Sequence, residues 1–537
     1  MLNILKQRSA LRLVNPLLSR TVHSSAFLYS ASTPNGRTVK KSRQLSPHVG
    51  TSFLANEKAK KKPAPPPTHG RKRRTKLPGG KKSEEDNNPA FMTGPPNSGS
   101  FASLKTVNKA DRISKLNVIQ KIDNFKALKL DPGVREGILT DVLGHLEYTK
   151  PTAIQVLSVK SIQAKRRSAG EFKSFLIAAE TGSGKTLAYL SPLMSKLKEE
   201  EKTEEWELIK DLPIVRSVII VPTLELVSQV ISTVKKVSYK AKLSSVAFTA
   251  DLSLRGIKEA LKKRTDILVC TPEKFLSVFK DPNSLKGHLK YCKSITVDEA
   301  DTLMDETFVE HTQKVIAGVP SISDLVFCSA TIPRRFDRIM RKLYPEVERI
   351  VAPNIHKVPK HIDFRVIEVF NPPYLNSKLL ALQQALYAIH HDNTEPGRVK
   401  RVVVFVNSKA SVQGIEDNLK EKGYDAISAS GNLSLAERKA IVEEFSEPIP
   451  LDATEESGSK VKILVTTDLL ARGIDMDNVR NVILFDLPYS SADLLHRAGR
   501  TGRMGKRGRV FLFVDKKESK SWVKGLEKVV RKGMALA

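Results

Sequence analysis

The sequence predicts an α/β protein with two tandem parallel-sheet domains behind a disordered, basic N-terminal extension. Three observations carry that reading. From about residue 118 onward, short apolar runs alternate with helix-length segments. That is the pattern of strands buried on both faces and joined by crossover helices. The pattern occurs twice, each time over about 200 residues. Finally, residues 1–116 hold 23 of the 89 basic but 5 of the 58 acidic side chains, so they carry +18 of the net +31. A chain of 537 residues has room for two or three domains, each with its own core.

The extension has two parts. No acidic residue precedes Glu57. At helical spacing, Ile4, Leu11, Val14 and Leu18 share one stripe, with Lys6, Arg8, Arg12 and Arg20 roughly opposite. A Ser- and Ala-rich stretch follows from Thr21 to Ser32. An amphipathic, Arg-rich, acid-free start has the composition of a mitochondrial transit peptide, so residues 1–56 are expected to direct the chain to the matrix. Residues 57–117 carry Lys58–Lys62, Pro65–Pro67 and Arg71–Lys76. Such a segment buries too little apolar surface to offset its chain entropy and is expected to be disordered. The Arg71–Lys76 run reads first as a solvated charge run. A nuclear import signal or a nonspecific RNA contact are the other readings.

Composition excludes several classes. No run of about 18 apolar residues exists, so no transmembrane helix is expected. Three cysteines without a CxxC argue against a disulfide scaffold, a zinc site or a thiol redox pair. The positive excess favours a polyanionic partner, nucleic acid first and an anionic membrane surface second.

In the first domain the strands are expected at Ser174–Ala178, Ser217–Val221, Ile267–Cys270, Ser294–Val297 and Leu325–Cys328. In the second they are expected at Arg401–Val406, Ala426–Ser428, Lys462–Val465, Val482–Phe485 and Val510–Val514. The join is placed near Pro353–Pro359, where two prolines interrupt the pattern. Acidic Glu199–Glu207 and Pro- and Ser-bearing Glu447–Lys460 are expected to be inserted surface loops.

The chemistry begins after the first strand. Ala179, Glu180, Thr181, Gly182, Ser183, Gly184, Lys185 and Thr186 form a phosphate-binding loop opening a helix over Leu187–Lys198. Gly182 and Gly184 let backbone N–H groups turn toward phosphate oxygens, and the helix N-terminus adds positive potential. Lys185 is placed for the β and γ phosphates of ATP, and the Thr186 hydroxyl for Mg²⁺. A later strand ends in Asp298-Glu299-Ala300-Asp301. Asp298 can join Thr186 in the Mg²⁺ shell, and Glu299 can position and deprotonate the attacking water.

Asp-Glu-Ala-Asp is the signature of the DEAD-box RNA helicases, and the chain resembles that family over roughly residues 120–515. The resemblance implies two RecA-like domains, at 118–355 and 356–537. Tyr148 through Gln155 resembles the Q motif, whose Gln reads adenine in the family. Phe125 lies at about the spacing of the adenine-stacking aromatic, with core packing the other reading. Pro222-Thr223-Leu224-Glu225-Leu226, Thr271-Pro272 and Ser329-Ala330-Thr331 resemble motifs Ia, Ib and III. Val404–Asn407, Thr467–Asp475 and His496–Arg503 resemble motifs IV, V and VI. By this resemblance Arg500 and Arg503 are arginine fingers and Asp475 contacts the ribose. Ser329, Thr331 and His496 couple hydrolysis to domain closure. Pro222, Thr223, Thr271, Pro272, Arg438 and Thr467 face the RNA backbone.

The chain departs from the family pattern on that RNA side. Leu224 stands for Arg in motif Ia, and Glu273-Lys274 for Gly-Arg in motif Ib. The double glycine is not evident near Ala250-Asp251. Leu435 stands for Gln in the Q-x-x-R motif, and Ser430 takes a position often held by His. Aromatics make up 6% of the chain, which favours backbone contacts over base stacking. The resemblance thus implies an RNA-dependent ATPase and helicase, acting as a monomer with ATP and Mg²⁺. An ATP-gated RNA clamp and a DNA helicase of the same superfamily are the alternatives.

Within the family, the segment starting Thr467-Asp468, together with His390–Gly397 and the tail Lys520–Lys524, most closely resembles the fungal mitochondrial helicases of large-ribosomal-subunit assembly. That implies mitochondrial ribosomal RNA and pre-ribosomal particles as partners. A nucleolar helicase using Arg71–Lys76 is the rival.

Overall fold

The structure is a computed structural model. It describes residue 119 and residues 121–146, 149–164, 171–249, 252–279, 286–392, 394–429, 433–447, 461–468, 479–503 and 506–536. The readings made on residues 1–117, on Tyr148 and on most of 447–460 lie outside these. All described residues belong to one compact unit.

Thirteen strands among the described residues form two sheets. The first contains β1 (Lys173–Ala178), β2 (Val215–Ile220), β3 (Ser245–Ala247), β4 (Thr265–Cys270), β5 (Ser294–Val297), β6 (Asp324–Ser329) and β7 (Glu348–Val351). Its order is β3-β4-β2-β5-β6-β1-β7, and every pairing is parallel. The second contains β8 (Ile362–Glu368), β9 (Lys400–Phe405), β10 (Asp425–Ala429), β11 (Val461–Thr466), β12 (Asn481–Leu484) and β13 (Gly508–Val514). Its order is β10-β11-β9-β12-β13-β8, again all parallel.

Parallel strands need crossovers, and helices supply them. Those used below are α1 (Ala153–Ile162), α2 (Lys185–Glu200), α3 (Glu204–Ile209), α4 (Leu224–Ala241), α5 (Pro272–Phe279), α6 (Leu435–Ser446) and α7 (Ser491–Ala498). Each sheet is covered on both faces by apolar clusters, two in the first half and two in the second. The central strands are buried along their whole length, which explains their unbroken Val/Ile/Leu runs. All ten expected strands form, shifted at their ends by up to two residues. The three that were missed, β3, β7 and β8, are all edge strands. Edge strands are half-exposed and read as polar or alternating: β8 is Ile-Asp-Phe-Arg-Val-Ile-Glu.

One expectation is corrected. Glu199–Glu207 is not a surface loop. Glu199 and Glu200 finish α2, and α3 starts at Glu204. Two of the acids, Glu200 and Glu201, serve with Asp266 as counter-ions for Arg216, a guanidinium only 2% exposed and 3.2 Å from Glu200, 3.2 Å from Glu201 and 3.0 Å from Asp266. Trp206 is buried, with Arg216 at 4.4 Å and Arg264 at 4.7 Å from its ring. A buried cation needs this neutralisation, so Glu200 and Glu201 turn inward while Glu199, Glu204, Glu205 and Glu207 stay exposed.

In the second sheet, the connection before β9 is held by Asp392. Its carboxylate accepts hydrogen bonds from Thr394 N–H at 3.0 Å and Lys400 Nζ at 3.0 Å, and from Arg509 Nη1. Lys400, itself buried, also donates to the Ile389 and His390 carbonyls at the end of the preceding helix. Burial pushes the Asp392 carboxyl up, but the bonds from Thr394, Lys400 and Arg509 outweigh it and hold it well below the usual range. A lowered folded value stabilises the fold above the unfolded value of about 3.9 and loses that effect as pH falls. Asp392→Asn should therefore cost about 1–3 kcal/mol at pH 7, with the gap to wild type narrowing below about pH 4. Urea denaturation at the two pH values checks this.

Candidate active site

Three of the nucleotide-site segments leave the C-terminal ends of neighbouring strands, where open parallel sheets bind ligands. The phosphate loop follows β1, Asp298 follows β5, and Ser329 ends β6 between them. The Ala179 N–H donates to the Ser329 carbonyl at 3.2 Å, stitching the loop to β6.

The loop needs its glycines. Gly182 and Gly184 have φ of +74° and +80°, left-handed values that side chains disfavour. A Cβ on Gly184 would also lie 2.4 Å from Gln155 Nε2. Gln155, on α1, is 4% exposed and accepts from the Thr152 N–H at 2.9 Å while donating to the Gly184 carbonyl at 3.2 Å. It therefore ties the Q-motif helix to the loop. Lys185 Nζ folds back onto the Glu180 carbonyl at 3.2 Å. Thr186 is half-buried at the start of α2. Phe125 is 2% exposed within the first core cluster, so its ring packs the core in this arrangement.

Asp298 is buried, with both oxygens held. Oδ1 accepts from the Glu299 N–H at 2.9 Å, and Oδ2 from the Tyr189 hydroxyl at 2.9 Å. Burial and then the charge of Glu299 push its carboxyl up to about 6, against the Glu299 N–H, Lys185 and Tyr189. Burial and the Asp298 charge keep the Tyr189 phenol well above 10, so it remains a donor. Glu299 sits at φ 46°, ψ 51°, a left-handed conformation rare for glutamate and a form of strain that collects at functional sites. Its Oε2 is buried without a hydrogen-bond partner.

Asp301 is the junction between the halves. It accepts from Thr331 Oγ1 at 2.6 Å and lies 3.4 Å from His496 Nε2, on α7 of the second half. Ser329 Oγ holds the Thr331 turn through its carbonyl at 2.7 Å and its N–H at 3.2 Å. Ligand-type atoms of Glu299, Asp301 and His496 lie within 4.8 Å of one another. Further along, a Cβ on Gly499 would meet Thr181 Oγ1 at 1.6 Å, and one on Gly182 would meet Arg503 Cγ at 3.4 Å. The motif VI turn thus rests directly on the phosphate loop. Arg500 is 5% exposed, with Nε donating to the His496 carbonyl at 3.1 Å. Burial lowers Arg503 to about 10, which leaves it protonated at neutral pH.

The RNA-side candidates occupy the ends of β2, β4 and β11 and helix α6. Thr223 Oγ1 caps α4 by accepting from Leu226 N at 3.3 Å. Thr271 and Pro272 are buried at the start of α5. Thr467 is 6% exposed with an unpartnered Oγ1. Arg438 Nη2 stands 3.0 Å from Glu225 of α4, so in this structure it bridges the two halves. Asp475, with Arg472, Ser430 and Ala250-Asp251, lies outside the described residues.

The sequence matches the DEAD/DEAH box helicase family over residues 152–339 and the helicase conserved C-terminal domain over residues 377–505. The mitochondrial ATP-dependent RNA helicase MRH4 of Debaryomyces hansenii is 39% identical, with 82% of this chain and 88% of that one aligned. The chain belongs to the DEAD/DEAH box helicase family. The MRH4 protein of Saccharomyces cerevisiae is 38% identical to this helicase, with 82% and 87% aligned.

Two solved structures share the helicase's fold. One is the DEAD-box helicase Mss116 bound to ssRNA and UDP-BeF, with a TM-score of 0.60 and 23% identity over 77% of this chain and 78% of that one. The other is Saccharomyces cerevisiae Dbp5 bound to RNA and ADP BeF3, with a TM-score of 0.56 and 21% identity over 77% and 100%. At these identities the likeness concerns architecture: two RecA-like parallel-sheet domains. Among the described residues no helix is long and apolar enough to cross a membrane.

Sequence reasoning missed three side chains that hold the helicase site together. Tyr189 is one turn beyond Thr186 on α2, and that i, i+3 spacing was the available signal. Glu225 sits inside motif Ia, where a lone acid beside the proposed RNA face gave no hint of its arginine partner. Arg497, wholly buried, binds Asp468 through Nε and Nη2 at 2.6 Å each, Asn407 Oδ1 at 2.6 Å and the Asp486 carbonyl at 3.3 Å. It gathers motifs IV, V and VI around one guanidinium.

Proposed function

We propose that this chain is a mitochondrial ATP-dependent RNA helicase, acting as a monomer. Its proposed substrate is mitochondrial ribosomal RNA in particles maturing toward the large subunit. The carrying observation is the Asp301 junction, where one carboxylate contacts both Thr331 of the first domain and His496 of the second. That carboxylate lies two residues from Glu299, so domain contact and the proposed hydrolytic residue share one short segment, as an ATP-driven clamp on RNA would require.

The residues fit ATP with Mg²⁺. Two left-handed glycines open the loop, while Ser183 Oγ and Glu299 Oε2 are buried without partners. Thr186 and Asp298 are the oxygen donors a hard cation takes, and bound Mg²⁺ would neutralise charge on the transferring phosphoryl group. Lys185 would leave the Glu180 carbonyl for the β and γ phosphates. Gln155 would read adenine, and Asp475 would contact the ribose. Glu299 would orient the attacking water and take its proton. Arg500 and Arg503 would add positive charge only when the domains, taken as 118–355 and 356–537, are closed. RNA would run along Pro222, Thr223, Thr271, Pro272, Arg438 and Thr467.

Three supports place the work in mitochondria: relatives named as mitochondrial helicases, the acid-free Arg-bearing N-terminus, and the matching span. ATP turnover by the purified protein should rise at least about tenfold with single-stranded RNA and not with DNA of the same sequence. Equal stimulation by both would sink the RNA assignment. A reporter fused to residues 1–56 should enter the matrix; nuclear or cytosolic signal would refute the location.

A second reading, an ATP-gated clamp with weak unwinding, is favoured by Leu224, Glu273 and Lys274 and by the pairing of Arg438 with Glu225. Strand displacement on short duplexes separates the two.

A further inference from the structure

We propose that Tyr189 is a positioning residue whose phenol hydroxyl ties the Asp298 carboxylate to the helix that carries Thr186, holding it oriented as part of a preformed Mg²⁺ receptor. The inference rests on the reading of those two residues as the metal's ligands. Thr186 and Tyr189 lie three residues apart, so α2 turns both toward β5. Tyr189 is 1% exposed, and its hydroxyl is 2.9 Å from Asp298 Oδ2. One side chain of the helix that the phosphate loop opens therefore reaches the carboxylate that follows β5.

With Oδ1 already held by the Glu299 N–H, the tyrosine bond fixes the remaining rotation of the Asp298 carboxylate. A carboxylate with one donor can swing about its Cβ–Cγ bond. With two donors from different segments it cannot, and its free lone pairs stay aimed in one direction. Groups that orient a metal's ligands change metal affinity by about 10–100-fold when removed. A packing role alone makes no such demand: a buried tyrosine hydroxyl needs a partner, but any acceptor would do.

Tyr189→Phe removes one oxygen atom and keeps the ring in the core. The test is the affinity of the full-length variant for a fluorescent ADP analogue, titrated with Mg²⁺ and repeated in EDTA, with thermal unfolding recorded alongside. The expected result is an Mg²⁺ half-saturation raised about tenfold with the affinity in EDTA unchanged. An unchanged half-saturation overturns the proposal. So does a parallel loss in Mg²⁺ and in EDTA, which would mark a structural role. Asp298→Asn separates the two layers of the argument. If that variant keeps the wild-type Mg²⁺ dependence, the ligand assignment itself is wrong, and the proposal for Tyr189 falls with it.

Discussion

Asp298→Asn should reduce ATP turnover by about 10³-fold or more while making the nucleotide-free protein harder to unfold. The first effect follows from removing the charged oxygen donor proposed for the metal. The second follows from burial. The Asp298 carboxyl is 5% exposed, and desolvation together with the neighbouring Glu299 charge pushes it up to about 6. Its unfolded value is about 3.9, so the folded state binds the proton more tightly. For such a group the favourable contribution is complete below about pH 4 and is lost as pH rises through the folded value. At pH 7.5 the wild type holds a buried charge that the amide would not have. The variant should gain about 1–3 kcal/mol, or a few degrees in Tm, and the gain should vanish near pH 4. Thermal unfolding in EDTA at both pH values, with phosphate release measured in parallel, checks both halves. A variant that melts below wild type at pH 7.5 would show that its hydrogen bonds to Glu299 and Tyr189 outweigh the relief of charge.

Arg497→Met should act in the opposite direction and cost about 3–5 kcal/mol. The guanidinium is fully buried and spends its donors on Asp468, Asn407 and the Asp486 carbonyl, with the Phe405 ring 5.6 Å away. Methionine fills much of the volume but leaves the Asp468 carboxylate and the Asn407 amide facing an apolar chain. Denaturation should then show the second domain unfolding before the first, so two-state fitting should fail. Arg497→Lys should recover little, because a point charge cannot bond three acceptors laid out for a planar fork. A loss under about 1 kcal/mol would show that water or a rearranged Asp468 replaces the guanidinium.

Much of this was legible in the sequence because the physics is local. The phosphate loop announces itself through glycines that the backbone requires at φ of +74° and +80°. The central strands announce themselves because burial on both faces leaves no place for polar side chains. What escaped depends on partners distant in sequence. Strands β7 and β8 begin with or alternate charged residues, as edge strands can, and β3 is only three residues long. Glu199–Glu207 read as a loop because the cation that draws Glu200 and Glu201 inward, Arg216, arrives from β2. Arg438 looked like a free RNA contact because Glu225 lies more than two hundred residues away. Phe125 carried two readings, and spacing alone could not choose between them. Packing places the ring in the core.

The Gly499–Thr181 contact has a consequence for how this protein can vary. A threonine side chain presses on a site where even a methyl group would collide, at 1.6 Å from the hydroxyl oxygen. Removing the threonine hydroxyl alone would make no room, because the Thr181 Cβ would still lie 2.7 Å from the added carbon, so position 499 should tolerate nothing larger than glycine while the motif VI turn rests on the phosphate loop.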